Sequence, residues 1–116
     1  MALLAIRARW EPLRTIEYNV ITDAYFAVGS PLAHPARLVT IKNLTDAELY
    51  GSTDGVEDYF ELAAGEVKTL DFTSNMSLGQ GFFLAQGDQI YVRATGAEPS
   101  TGNVYIEVIY AADVNV

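Results

Sequence analysis

The sequence contains no cysteine and a single histidine, His34, among its 116 residues. The absence of cysteine excludes disulfide scaffolds, thiolate zinc sites and cysteine nucleophiles. One histidine excludes a metal site built from several imidazoles and leaves a single candidate base for nucleophilic catalysis. His34 lies between Ala33 and Pro35, so we interpret it as a turn or surface histidine. The sequence therefore predicts a protein that is not an enzyme and that uses no metal or cofactor.

Basic residues are also scarce, with seven Lys and Arg against fifteen Asp and Glu and a net charge of −8. Nucleic-acid binding needs clustered basic side chains against the phosphates, so we expect no nucleic-acid partner. The charge is unevenly distributed, because residues 1–42 carry a net charge of +2 and residues 43–116 carry −10. This asymmetry can orient the molecule on a partner. Scattered arginines on a solubilising acidic surface would give the same counts.

Long apolar runs are absent as well. No segment approaches the roughly 18 residues of a membrane-spanning helix. The six residues before Arg7 are apolar, but they are too few for the core of a signal peptide. We therefore expect a soluble protein that has no membrane partner and stays in the compartment where it is made.

Acidic residues cluster at one place, which raises the question of a carboxylate site. Asp54, Glu57, Asp58 and Glu61 lie within eight positions. Glycoside hydrolysis needs two carboxylates that face each other across a cleft, whereas these four lie on one turn and strand. Their spacing also does not match the calcium-binding loop of an EF-hand. The sequence therefore favours a solvated acidic turn over a calcium site.

The strongest positive signal is hydrophobic alternation with a period of two. In residues 103–111 every even position is apolar, which is typical of a strand with one buried face. Residues 15–21 and 37–42 show similar patterns. Further candidate strands are residues 25–28, 48–52, 59–62, 67–72, 82–84 and 89–94. Short turn signals separate these runs, and no segment has helical periodicity. The predicted fold is all-β, an antiparallel β-sandwich of jelly-roll type with about eight strands over residues 15–116.

Residues 1–14 are either the first strand of this sheet or an arm that docks on a neighbouring subunit. On a strand, Leu4, Ile6, Ala8 and Trp10 would share one face. Tryptophan and arginine are enriched at interface hot spots, which favours the arm. The predicted partner-binding residues are Leu4, Ile6, Arg7, Arg9, Trp10, Arg14 and Arg37.

Aromatic residues are plentiful, with seven tyrosines, five phenylalanines and one tryptophan. They permit a carbohydrate-binding module, in which exposed rings stack on sugars, and Tyr50 and Tyr59 are the residues whose mutation would test it. Four other aromatic residues fall on strand patterns and are assigned to the core: Tyr18, Phe60, Phe72 and Tyr110.

Several short segments resemble, in their order and spacing, a family of small structural proteins of tailed bacteriophages. They are residues 29–37 (GSPLAHPAR), 43–46 (NLTD), 52–55 (STDG) with Asp58, 62–65 (LAAG), 70–75 (LDFTSN) and 102–110 (GNVYIEVIY). The resemblance covers roughly residues 16–111, so residues 1–14 lie outside it. It implies a virion-associated β-sandwich and carries over no catalytic residues.

Similar small β-sandwiches serve as capsid cement or decoration proteins, often as trimers. The resemblance therefore implies a protein that is made in the host cytoplasm and binds the major capsid protein at the capsid surface as a homo-oligomer. Binding several shell subunits at once would stabilise the shell by multivalency. The alternatives are a head–tail connector, a tail or fibre component, and a carbohydrate- or receptor-binding module.

Overall fold

Nine strands form two antiparallel sheets in the part of the chain that the structure, a computed structural model, describes: residues 6–72 and 84–113. The strands are β1 (Ile6–Trp10), β2 (Arg14–Glu17), β3 (Phe26–Ala27), β4 (Ala36–Asn43), β5 (Leu49–Ser52), β6 (Phe60–Leu62), β7 (Val67–Asp71), β8 (Tyr91–Ala94) and β9 (Asn103–Asp113). The larger sheet has the order β1-β9-β4-β7, with β2 also paired to β9, and the smaller has the order β3-β8-β5-β6. The all-β, two-sheet antiparallel architecture predicted from the sequence is confirmed. Within the described residues, no helix has the length and apolar character needed to cross a membrane.

One hydrophobic core lies between the two sheets, because side chains alternate along each strand and one face of each sheet turns inward. The first three even positions of β9, namely Val104, Ile106 and Val108, are fully buried, as the period of two predicts. Tyr110, the next one, is assigned to the core by the sequence pattern but is only half-buried, and it stacks on His34. The smaller sheet adds buried side chains from β5, β6 and β8: Leu49, Leu62, Val92 and Ala94. Burying one Val, Leu or Ile side chain contributes about 1.5–3 kcal/mol to stability. This core is therefore the main source of the stability of the fold.

The predicted strand over residues 15–21 is wrong in its second half. The strand β2 ends at Glu17, and Tyr18–Val20 form a short 3-10 helix in which Ile21 N donates to Tyr18 O at 3.1 Å. The chain turns here because it must leave the larger sheet before β3 begins in the smaller one. Tyr18 is consequently exposed, which contradicts its assignment to the core. Phe60 and Phe72, by contrast, do pack against the core.

The remaining strand predictions are confirmed with shifts of one to a few residues at their ends, except for residues 82–84. Residues 82 and 83 lie outside the described part of the chain, and Leu84 forms an isolated antiparallel bridge with Ala36.

A buried asparagine holds the two sheets together at the end where β4 finishes. The Asn43 side-chain amide donates to the carbonyl oxygens of Ala47 and Leu62 at 2.9 and 3.1 Å, and its side-chain oxygen accepts from Thr45 N at 3.1 Å. Because these partners belong to the β4–β5 connection and to β6, a side chain from the larger sheet fixes backbone of the smaller one. A buried amide with satisfied hydrogen bonds specifies this arrangement without a large desolvation cost.

Gly102, just before β9, approaches the same region too closely for any other residue. Its φ is +93°, and an added Cβ would lie 2.0 Å from the carbonyl oxygen of Leu44. We expect Gly102→Ala to lower the free energy of unfolding by roughly 3 kcal/mol, because backbone strain and a backbone clash add. Gly96→Ala is the matched control, since nothing lies within 4 Å of its added Cβ. Urea unfolding followed by circular dichroism measures both. Equal stabilities of the two variants would contradict the assigned backbone approach.

Candidate functional site

The predicted N-terminal interaction segment contains an edge strand of the larger sheet. The strand β1 pairs antiparallel with the last five residues of β9, from Ile6 opposite Asp113 to Trp10 opposite Ile109. Within the described residues, no strand pairs with the other edge of β1. An edge strand with a free backbone edge is a common site for contact with a second chain. The described part of this segment is thus a strand of the molecule's own sheet, and its contact with another subunit stays a prediction.

Three apolar side chains lie side by side on the outer face of the larger sheet. Trp10 lies opposite Ile109, and Ile109 lies opposite Leu38 on β4. We call these three residues the Trp10 row. Trp10 is 64% exposed, and Ile109 and Leu38 are half-buried. Leu13, in the connection that follows β1, is 57% exposed, so apolar surface continues beyond the row.

The connection between β1 and β2 contains an extra residue relative to β9. Trp10 pairs with Ile109 and Arg14 pairs with Ile106, so three residues on one strand lie opposite two on the other. Such a β-bulge shifts the alternation of side chains. After the bulge, Arg14 is buried instead of facing solvent, and Glu11, at the start of the bulge, is buried as well.

The carboxylate of Glu11 is the centre of a buried hydrogen-bond cluster that we call the Glu11 clamp, formed by Glu11, Arg14 and His34. Glu11 Oε1 accepts from Arg14 Nη2 at 2.7 Å, and Glu11 Oε2 accepts from both the backbone N and the ring Nδ1 of His34 at 2.9 Å. Arg14 also donates to the carbonyl oxygens of Ser30 and Pro31 at 2.8 and 2.9 Å. The clamp therefore joins the β1–β2 connection to the loop that precedes β4.

Burial and hydrogen bonding act on Glu11 in opposite directions. Burial alone would raise the pKa of this carboxyl, because it disfavours the charged form. The hydrogen bonds from Arg14, His34 and Ala33, together with the charge of Arg14, outweigh burial and leave the pKa of Glu11 below its ordinary value. Glu11 is thus a buried anion at neutral pH.

Two further contacts fix the geometry of the clamp. The His34 ring stacks on Tyr110 with 3.6 Å between ring centroids and an interplanar angle of 3°. Gly29 has a φ of +73°, and an added Cβ would lie 2.7 Å from Cγ of Arg14. The loop can therefore close over Arg14 only with a glycine at this position.

The predicted partner-binding residues separate into different environments. Trp10 and Arg7 are exposed, Arg9 is half-buried, and Arg14 is buried and occupied within the chain. Arg37 lies at a β-bulge of β4, since Ala36 pairs with Tyr110 and Leu38 with Ile109. Leu4 lies outside the described residues, and for Ile6 the description covers the backbone alone. The role of these residues in binding a partner stays a prediction.

Sequence reasoning missed the Glu11 clamp. Glu11 and His34 are 23 positions apart, so no local pattern joins them. The signal available in the sequence was a pair of opposite charges, Glu11 and Arg14, on either side of Pro12. These charges lie beside two strands that are otherwise apolar on one face. His34 does lie in a loop and is half-exposed, but both its backbone and its ring are bonded to a buried carboxylate.

The acidic loop between β5 and β6 is exposed, as predicted, but it is internally ordered. Asp54 Oδ1 accepts from the backbone N of Val56 and Glu57 at 2.8 and 3.0 Å, and Asp54 Oδ2 accepts from the Tyr59 hydroxyl at 2.7 Å. These hydrogen bonds, led by that of Tyr59, hold the pKa of Asp54 well below its ordinary value. Among the described residues, no group of three or more His, Cys, Asp or Glu side chains could hold a metal ion.

A second surface feature lies on the outer face of the smaller sheet. An open groove of about 270 Å³ is lined by Tyr50, Asp58, Tyr59, Phe60 and Glu61. Asp58 forms an ion pair with Arg93, with 2.9 Å from Nε to Oδ1 and 2.7 Å from Nη2 to Oδ2, and also accepts from the Tyr25 hydroxyl. Arg93 and Tyr25 hold the pKa of Asp58 below its ordinary value. The groove thus combines the exposed ring of Tyr59 and the half-buried rings of Tyr50 and Phe60 with an ionised carboxylate.

Comparisons with known proteins give no family for this chain. No protein-family model and no curated protein matches it. A chain from a solved structure described as "Bacillus endospore appendages form a novel family of disulfide-linked pili" is similar over 94% of this chain and 90% of that chain, with 11% identity and a TM-score of 0.49. This similarity is too low to indicate a function.

We expect Glu11→Gln to lower the free energy of unfolding by about 3 kcal/mol, because it leaves the guanidinium of Arg14 buried without a counter-charge. The control is Glu107→Gln, which breaks the half-exposed Lys42–Glu107 pair of 2.6 Å and should cost less than about 1 kcal/mol. Urea unfolding at about pH 7 measures both variants. A smaller loss for Glu11→Gln than for Glu107→Gln would show that the clamp does not stabilise the fold.

The clamp also predicts how stability depends on pH. Because the pKa of Glu11 is lower in the folded than in the unfolded state, its stabilisation is complete above the ordinary value of 4.5 and is lost as pH falls through the folded-state pKa. We expect the stability difference between wild type and Glu11→Gln to shrink from about pH 7 to about pH 3. Urea titrations at a series of pH values measure it, and a constant difference would contradict the prediction.

Proposed function

We propose that this chain is a structural protein that binds other protein subunits through the Trp10 row and the adjoining edge strand β1. The observation that carries the proposal is the exposure of Trp10 on an edge strand, beside half-buried Ile109 and Leu38. The single tryptophan of the chain contributes little to its own core at this position. A large exposed ring in an apolar row is typical of a surface that another protein covers.

The energetics of such a contact are favourable. Burying an aromatic ring of this size at an interface centre contributes on the order of 2 kcal/mol or more. The sheet beneath it is rigid, since β1 is hydrogen-bonded along β9 and the Glu11 clamp fixes the bulge that follows. A rigid surface loses little conformational entropy on binding. The exposed Arg7 adds a positive charge that favours an acidic partner surface.

A role as a scaffold is also supported by the environment of His34, the one candidate base. Its Nδ1 is bonded to Glu11 and its ring is stacked on Tyr110. Both contacts use the ring to hold the loop in place, and we propose no catalytic role for it.

The finer proposal is a structural protein of a tailed-phage virion, in which this chain acts as a capsid cement or decoration protein at the capsid surface. It rests on the resemblance of residues 16–111 to small phage structural proteins and on a surface suited to contact shell subunits. Each contact need not be strong, because a protein that bridges several capsomers gains from multivalency. A head–tail connector or a tail component would use the same kind of surface in fewer copies.

The proposal requires that a tailed phage encodes this chain, and purified virions of that phage provide the test. Cryo-electron microscopy and quantitative mass spectrometry should find on the order of hundreds of copies on the head, as a multivalent shell protein requires. A dozen copies or fewer at the portal or tail would favour the connector or tail alternatives, and absence from the particle would overturn the virion proposal.

The binding surface is tested separately with variants. We expect Trp10→Ala to reduce binding to heads that lack this protein by at least about tenfold, with little change in the unfolding free energy. Val56→Ala is the control, because Val56 is 75% exposed in the loop between β5 and β6, which belongs to the other sheet. Sedimentation with empty heads measures binding. Equal binding of the Trp10 variant and wild type would remove the Trp10 row from the proposal.

A further inference from the structure

The groove on the smaller sheet is built on a cross-strand row that has no role in the proposed subunit contact. Tyr50 on β5 lies opposite Arg93 on β8 and opposite Glu61 on β6. The residue preceding β6, Tyr59, completes the groove together with Asp58. Two tyrosine rings and two carboxylates therefore line one open depression of about 270 Å³.

The Tyr59 ring is exposed and yet held in one orientation. It is 57% exposed, so it is not needed to fill the core. Its hydroxyl donates to Asp54 Oδ2 at 2.7 Å, and Asp54 is itself fixed by the backbone N of Val56 and Glu57. An exposed ring that is fixed before a ligand arrives lowers the entropic cost of binding.

The Tyr50 ring is fixed by a different set of contacts. The guanidinium carbon of Arg93 lies 4.8 Å from the centroid of this ring, in a cation–π contact. Arg93 is in turn held by two hydrogen bonds to the carboxylate of Asp58. Arg93 thus orients both the ring of Tyr50 and the carboxylate of Asp58.

The charges around the groove restrict the ligand. Asp58 is paired with Arg93, but the exposed Glu61 has no side-chain partner within the described part of the chain, and Asp54 and Glu57 lie in the adjoining loop. This excess of negative charge disfavours anionic ligands. The carboxylate oxygens of Glu61 and Asp58 accept hydrogen bonds, so they favour a ligand that donates several.

We propose that this groove binds a neutral saccharide, with the apolar face of a sugar ring on Tyr59 and sugar hydroxyl groups donating to Glu61 and Asp58. A neutral sugar combines an apolar face of C–H groups with several hydroxyl donors, which matches rings beside carboxylates. The ligand is a glycan chain, since an open groove leaves both ends of a bound sugar free to continue. The site does not depend on the Trp10 row, so either proposal can fail without the other.

The test is a titration of the full-length, isotopically labelled protein, followed by two-dimensional NMR. The probes are three neutral oligosaccharides (maltohexaose, cellohexaose and hexa-N-acetylchitohexaose), the acidic hexagalacturonate and a polyproline peptide. We expect at least one neutral probe, at about 10 mM or below, to shift the resonances of Tyr50, Tyr59 and Glu61. Hexagalacturonate and polyproline should leave them unchanged.

Variants separate ring stacking from other effects. Tyr59→Ala should weaken binding of that probe by at least about tenfold, whereas Tyr59→Phe keeps the ring and should weaken it only about twofold. Glu61→Gln should weaken binding through the lost charge. Val56→Ala, in the same loop but not lining the groove, should bind as wild type does, and unfolding curves check that each variant is folded.

Three outcomes would overturn the proposal. They are the absence of shifts with all three neutral probes, tighter binding of hexagalacturonate or polyproline than of any neutral probe, and unchanged saccharide binding by Tyr59→Ala. Trp10→Ala should leave saccharide binding intact, which keeps this result distinct from the test of the subunit contact.

Discussion

Strand β9 is the element on which the larger sheet depends, because β1, β2 and β4 all form their hydrogen bonds with it. Its inward side chains build one wall of the core, and its two edges set the register of three other strands. Two β-bulges interrupt this register, one between β1 and β2 and one at Arg37 on β4. Both bulges lie near the middle of β9. The pairing register therefore shifts on both edges of β9 at nearly the same position along the strand.

The bulge after β1 interrupts the regular edge of the sheet and places Glu11 and Arg14 where they form a buried corner of fixed geometry. Without the bulge, Arg14 would face the same side as Trp10 and could not turn inward beside Glu11. Once buried, the carboxylate needs donors, and it finds them in Arg14 and in the loop that carries His34. The exposed Trp10 beside this corner thus belongs to a rigid part of the surface. The groove on the smaller sheet is similarly rigid. Arg93 orients Tyr50 and Asp58, and Asp54 holds the hydroxyl of Tyr59.

The sequence predicts the strands well where a long alternation meets a continuous core. β9 and β4 are found as predicted because their buried residues are apolar, except for Asn43 at the end of β4. The all-β fold follows from many such short runs. The 3-10 helix at Tyr18–Val20 could not be predicted, since its residues alternate as a strand would and only the crossing between sheets bends them. Propensity is overridden there by tertiary structure.

The sites were less predictable than the strands, because they depend on which strands are neighbours. Among the described pairs, β5 and β6 alone are consecutive in the chain. The contact of Glu11 with His34, and that of Arg93 with Tyr50, join residues that are distant in sequence, and no local pattern encodes them. Trp10 was identified from residue type alone, and its exposure was the part that required the structure. The pairing of β1 with the end of β9 has a practical consequence: Ile6 and Asp113 lie opposite each other, so an insertion at the start of β1 or at the end of β9 would disturb the same strand pair. The exposed residues 96–98, about 30 Å away in the loop before β9, are the better place to insert a fluorescent or affinity label. The rest of this loop is less suitable, because Pro99 is buried and Ser100 donates to Asp46.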